Sequence, residues 1–159
     1  MYQIGDRIVY PMHGAGIVES IEDREFLGEN QRFLVVSLPM KHMKVMLPER
    51  NVTSLGVRDV IEPSRISDVL HVLGEATDAM NQNWNRRYRD NLDKIRSGDI
   101  FEVAQVVRNL THMDHTKGLS TGERKMLSDS RQILVSELIL SKNASESDVE
   151  QMIQGALVD

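Results

Sequence analysis

Hydrophobic and polar positions follow two different rhythms along the chain. In the first part, Arg7 to Tyr10, Gly16 to Phe26, Arg32 to Leu38 and Lys44 to Leu47 are rich in Val, Ile, Leu and Phe, with turn residues between them, which predicts short strands. Leu27-Gly28-Glu29-Asn30 predicts a hairpin turn, and Pro11 with Gly14 and Gly16 punctuates the first connection. Pro39 and Pro48 bound the last strand and confine it to an edge or a terminus, because proline has no N–H to give to a ladder. Strands this short and this closely spaced predict a small SH3-like or Tudor-like β-barrel over residues 1–61.

Beyond Leu55-Gly56-Val57 the period changes from two to 3.6. Ser64 is placed to cap a short helix with Ile66, Val69, Leu70 and Leu73 on one face and Gly74 at its end. A polar stretch follows from Glu75 to Asn83. Tyr88, Leu92 and Ile95 mark a second helix that stops near Ser97-Gly98. Asp99 and Glu102 form a capping-box pattern that opens a helix with Ile100, Val103, Val107 and Leu110 on its apolar side; Ser120 and Glu123 repeat the device ahead of Leu127, Leu134 and Leu138. A last helix starts near Ser145 and carries Val149, Ile153 and Leu157. Residues 62–159 therefore read as a compact five-helix domain without internal repeats, and the expected class is α+β.

At 159 residues the chain is long for one small barrel and short for two full-sized domains, which fits two small modules. The absence of Cys excludes a disulfide framework, a thiolate metal cluster and a cysteine nucleophile, and points to a reducing, cytoplasmic setting. No apolar run approaches the roughly twenty residues of a membrane span, and MYQIGDRIVY lacks the basic-then-apolar pattern of a signal peptide, so a soluble, non-exported protein is expected. The formal net charge of −5 argues against coating nucleic acid by bulk electrostatics. Distribution changes that picture: between Met80 and Gly98, Arg86, Arg87, Arg89, Lys94 and Arg96 face only Asp90 and Asp93, a local charge of +3.

Candidate chemistry is sparse. Gly14-Ala15-Gly16 follows a strand but precedes another strand and no Lys-Ser/Thr, so it reads as a turn and not as a phosphate cradle. His112 and His115 have a spacing that can bring two imidazoles to one metal, yet no third ligand is evident, so they read as an exposed helix end and not as a metal site. No nucleophile elbow, carboxylate pair or His-Glu metal signature is present, and the chain reads as a non-enzyme without cofactor. Asn83-Trp84-Asn85-Arg86-Arg87-Tyr88-Arg89 is the informative segment. Trp84, the sole tryptophan, lies four residues before Tyr88 and on helical spacing can extend the core face. Its polar and cationic neighbours support a second reading, in which the indole packs against a base while guanidinium groups hold phosphates.

Gly5-Asp6-Arg7-Ile8-Val9-Tyr10-Pro11, Gly14-Ala15-Gly16, Leu47-Pro48, Gly56-Val57-Arg58-Asp59-Val60, the Trp84 segment, and Gly118-Leu119-Ser120-Thr121-Gly122-Glu123-Arg124-Lys125-Met126-Leu127 occur in that order. In this joint order the chain resembles the CarD-type bacterial transcription regulators nearly end to end. The N-terminal pattern alone is also similar to the polymerase-binding domain of transcription-repair coupling factors, whose helicase motifs are absent here. The resemblance implies a Tudor-like domain that grips the RNA polymerase β subunit and a helical domain that contacts promoter DNA, with low sequence specificity, at the upstream edge of the transcription bubble. It implies a monomer.

Carried over by position, the resemblance implies that Trp84 is a minor-groove wedge, Arg86 and Arg89 phosphate contacts, and Arg87 a neighbour of these. Met46, Pro48 and Val36 match positions that face polymerase, and Arg24 matches a basic contact. Certain relatives carry a second Arg where Met46 stands, so the polymerase interface here is expected to be more apolar than ionic. Arg124 and Lys125 match a basic pair that assists DNA contact, with ordinary helix-surface charges as the alternative. The expected function is an accessory factor that stabilises the open promoter complex; the competing reading is a protein–protein adaptor in which Trp84 anchors an interface without touching DNA.

Overall fold

The computed structural model describes residues 1–157. Five strands form one antiparallel sheet: β1 (Arg7–Tyr10), β2 (Gly14–Phe26), β3 (Glu29–Leu38), β4 (Met43–Pro48) and β5 (Arg58–Asp59). Their order is β4-β3-β2-β1-β5. The expected barrel is not formed: β4 and β5 are the two edges of an open sheet and do not pair with each other. β5 is only two residues long and spends them on β1, so it has no length left to reach the far edge. Pro48 ends β4, and turns through Val57 carry the chain away from it.

The strand pattern itself follows the sequence closely. Phe26 pairs with Glu29 across a two-residue turn in which Leu27 and Gly28 both have positive φ, the conformation that matches the right-handed twist of a hairpin. Ile8, Val18, Leu34, Val36, Leu38 and Leu47 fill the apolar side of the sheet, joined by Val52 from the turns after β4. The alternation of a strand then puts Phe33 and Val35 on the opposite face, where they pair with Pro48 and Met46.

Five helices follow among the described residues: α1 (Ile66–Gly74), α2 (Trp84–Arg96), α3 (Ile100–Thr116), α4 (Thr121–Lys142) and α5 (Glu146–Ala156). Asp99, Ser120 and Ser145 accept hydrogen bonds from first-turn amides as N-caps of α3, α4 and α5. Ser64 does not cap α1, because a short 3-10 turn at Pro63–Arg65 intervenes and Arg65 stands at the cap position without a side-chain bond. Val69, Leu73, Val103, Val107, Leu110, Leu134, Leu138, Val149 and Ile153 form the centre of a single helical core. Among the described residues no helix is long and apolar enough to cross a membrane.

α4 is buried on more than one side, since it packs against α3 and α5 and also against β2. The two modules meet along it. Arg58 of β5 makes a two-pronged ion pair with Glu137, both N···O distances 2.7 Å, and donates from Nε to the Gly98 carbonyl at 2.8 Å. Glu137, 2 % exposed, also accepts from the Ile61 amide at 2.9 Å. Ser141 donates to the Ile61 carbonyl, Gln132 to the Met40 carbonyl, and the Arg7 guanidinium to the Leu140 carbonyl. Gly14 explains the glycine motif of the first connection: its φ is +101°, and a Cβ there would lie 2.8 Å from Ser136 Oγ. That hydroxyl accepts from the Ala15 amide at 2.9 Å, so the glycine lets strand and helix close on each other.

Candidate functional site

α2 starts where its sequence allows a start. Asn83 is extended, and its Oδ1 accepts from the Arg86 amide at 3.0 Å, leaving Trp84 as the first helical residue. Ahead of it, the polar stretch from Glu75 to Asn83 is not free chain. Arg108, buried within α3, reaches the Asp78 carboxylate at 2.8 Å and the Val72 carbonyl at 3.0 Å, while Asn109 Oδ1 accepts from the Asp78 amide at 3.1 Å. Two polar residues among the otherwise apolar buried positions of α3 thus anchor the segment that delivers Trp84. The 3.6 periodicity around Val107 and Leu110 concealed them.

Trp84 is neither a core residue nor a free side chain. Its indole stacks on Tyr88 with centroids 4.9 Å apart and planes 18° apart, and Nε1 donates to Ser120 Oγ at 2.9 Å. Gly122 passes close by, with a hypothetical Cβ 3.5 Å from Trp84 Cζ2. The residue remains 41 % exposed. Periodicity offered only the alternatives of core or surface, and the structure gives a third outcome, an indole gripped on part of its surface and open on the rest.

The grip continues inward. The Ser120 hydroxyl accepts from Trp84 Nε1 and from the Glu123 amide at 3.2 Å and donates to Glu123 Oε1 at 3.1 Å, which uses its whole hydrogen-bonding capacity of one donor and two acceptors. Glu123, 2 % exposed, receives Arg87 on both oxygens at 2.8 and 3.2 Å. Burial alone pushes the Glu123 carboxyl up, but the bonds and charge from Arg87, together with the Ser120 hydroxyl and backbone N–H, outweigh it and hold the group below its ordinary value. The same carboxylate raises Arg87, first through the hydrogen bond. Arg87 turns its remaining nitrogen to the Asn81 and Gln82 carbonyls at 3.2 and 3.3 Å.

The other basic positions face outward. Arg86 is exposed and lies 3.3 Å from Asp90 one turn on, an arrangement worth little in water. Arg89 and Arg124 are exposed and enter no ion pair among the described residues. Lys125 is exposed and bonds Asp129 at 2.8 Å, which raises its pKa. His112 and His115 lie near the end of α3, and no group of three potential metal ligands forms among the described residues.

On the sheet, Met46 is 40 % exposed on edge strand β4, with Met43 also exposed and Pro48 half-buried. Val36 is 0 % exposed and lies in the sheet core; the residue across from Met46 is Val35. Period-two alternation from Leu34, Val36 and Leu38 was the signal that separates these two valines. Arg24 is exposed on the hairpin and pairs with Glu22 at 2.8 Å.

Residues 68–154 match the family described as CarD, C-terminal domain, and residues 2–61 match the CarD-like/TRCF RID domain. YdeB of Bacillus subtilis (strain 168), whose name marks it as a candidate transcription factor, is 40% identical over 150 residues, spanning 94% of this chain and 98% of its own length. The solution NMR structure of the 72-residue N-terminal domain of Myxococcus xanthus CarD is 34% identical and covers 37% of this chain and 79% of that one. Its TM-score of 0.33 is too low to bear on the arrangement of the sheet. The chain belongs to the CarD family of bacterial transcription regulators, non-catalytic proteins that interact with RNA polymerase.

Proposed function

We propose that this chain docks on the RNA polymerase β subunit through the β4 edge and sets Trp84 into the DNA minor groove at the upstream edge of the bubble, slowing collapse of the open promoter complex. The observation that carries this reading is the start of α2, where a half-open, fixed indole stands beside the exposed Arg86 and Arg89. Apolar side chains wedged between base steps, with cations on the flanking phosphates, are a common way to hold a deformed duplex. Unstacking costs about a few kcal/mol per step, and less at a fork, so the indole favours a melted junction over intact duplex.

Affinity for DNA alone is weak in a protein of charge −5. Tethering removes that difficulty by raising the local concentration of the helical module over the promoter, and it brings the protein to the nucleoid with polymerase. An edge strand supplies the tether in a recognised way, through unpaired backbone groups and the side chains of one face, here Met46 and Pro48 with Val35 and Phe33 beside them. Arg24 adds an ionic contact, and Val36 supports the strand from the core. Arg124 and Lys125, at the start of α4, extend the cationic surface around the indole.

The test is binding of the polymerase-bound protein to forked and fully paired promoter DNA across a salt series. Preference for the fork, with affinity falling as salt rises, is the expected result. Polymerase retention without either behaviour would leave an adaptor that does not touch DNA.

A further inference from the structure

The basic residues around Trp84 divide into two sets that sequence cannot separate. Arg86 and Arg89 present their guanidinium groups to water. Arg87, only 13 % exposed, has both sides of its fork engaged, by the Glu123 carboxylate and by the Asn81 and Gln82 carbonyls. Its charge is spent within the protein, and a phosphate could reach it only by displacing a buried carboxylate. Glu123 is no nucleic-acid ligand either, being buried and negative.

These residues instead form one connected unit around the indole. Ser120 holds the ring by its N–H, Glu123 holds Ser120, Arg87 holds Glu123, and Arg87 also fixes the backbone that enters α2 just before Trp84. The side chain is thus restrained at its ring and at its root by the same network, while Tyr88 covers one face. Ser120 and Glu123 cap α4, but capping alone does not require the hydroxyl to accept from an indole on another helix. An aromatic group that must enter a groove loses less freedom on binding when it is already held in its bound orientation.

We propose that Ser120 and the buried Arg87–Glu123 pair are positioning residues that preset the Trp84 indole for insertion, and that Arg87 acts through them and not as a phosphate contact. This inference rests on the wedge reading given above. Loss of the Ser120 hydroxyl then affects promoter DNA through the indole N–H.

The experiment is a double-mutant cycle on full-length protein bound to polymerase, with Ser120→Ala, Trp84→Phe and the pair of changes, read by open-complex decay and by thermal unfolding. Phe keeps an aromatic wedge but has no N–H, so Ser120→Ala should speed decay about two- to tenfold with Trp84 present, the range one hydrogen bond supports, and have no further effect in the Phe background. The loss of the α4 cap should lower the melting temperature in both backgrounds, and further with Trp84 present, where the indole hydrogen bond is lost as well. In the free protein, where Trp84 is the only tryptophan, its fluorescence anisotropy should fall in Ser120→Ala, and Ser120→Thr should restore both that anisotropy and the open-complex lifetime. Equal acceleration by Ser120→Ala in both backgrounds, or unchanged anisotropy with wild-type lifetimes, overturns the positioning role. Trp84→Ala, run alongside, separates the two levels: wild-type decay in that variant overturns the wedge reading itself. Faster decay in Trp84→Ala with a wild-type Ser120→Ala overturns positioning alone.

Discussion

Two buried glutamates on α4 hold two arginines in nearly the same manner, yet they serve different parts of the molecule. Glu137 binds Arg58 from the sheet module and the Ile61 amide, and so ties the strands to the helices. Glu123 binds Arg87 and Ser120 and so ties down a side chain that is itself open to solvent. A buried carboxylate survives only where its charge and hydrogen bonds are met, and the two sites meet that demand differently. The junction spends it on joining modules; the indole network spends it on orienting one ring. Stability should therefore be concentrated at Glu137, and function at the groups that Glu123 supports.

The strongest test of that contrast is Glu137→Ala, which leaves the half-buried Arg58 without its partner. Breaking such a pair costs about 3–5 kcal/mol, and the melting temperature should drop by roughly 10 °C. A drop within a degree or two of wild type would mean that the modules are held together by their apolar contacts alone.

Acid should expose the second glutamate. Glu123 is held below its ordinary value near 4.5, so its contribution to stability is present above that pH and is lost as pH falls from there through the lower folded value. Wild type should lose stability in this window more steeply than Glu123→Gln, as measured by denaturant midpoints at stepped pH. Parallel curves would show that Glu123 does not link protonation to folding.

Much of this division of labour was hidden from the sequence for physical reasons. Strands and helices were legible because alternation and 3.6 periodicity are local. Sheet closure was not, because a period-two pattern specifies a strand and one buried face but not which edges meet. The two residues of β5, Arg58 and Asp59, are polar and give no strand signal. Arg58 and Glu137 are 79 positions apart, and nothing local announces that they meet. The indole segment stood out by composition, and Ser120 with Glu123 by their capping pattern; that the two belong together depends on the packing of α2 against α4.

Met46→Glu sharpens the comparison from the sheet side. Both glutamate networks should survive, so the melting temperature should stay within about a degree or two and tryptophan anisotropy should not change, as befits an exposed edge residue. Polymerase retention in a pull-down should nevertheless fall sharply. Normal retention would move the docking surface away from β4.

The smallest effects are expected at the outward arginines. Arg86→Ala and Arg89→Ala should each leave the fold unchanged and flatten the salt dependence of forked-DNA binding by about 0.9 in log–log slope, the share of one phosphate contact. Arg87→Ala should behave otherwise and lower stability, since it strands Glu123. Equal salt slopes in all three variants and wild type would remove the distinction between the two sets of arginines.

The central claim, that the open side of Trp84 acts on promoter DNA, is tested most directly by open-complex decay with saturating wild-type or Trp84→Ala protein, with thermal unfolding of the same preparations. Loss of the Tyr88 stack and the Ser120 hydrogen bond should cost about 1–3 kcal/mol and lower the melting temperature by several degrees. At a temperature where both proteins are folded, the variant should let open complexes collapse on the order of tenfold faster, the scale of base–aromatic stacking. Wild-type lifetimes with a folded, polymerase-bound Trp84→Ala protein would contradict the account.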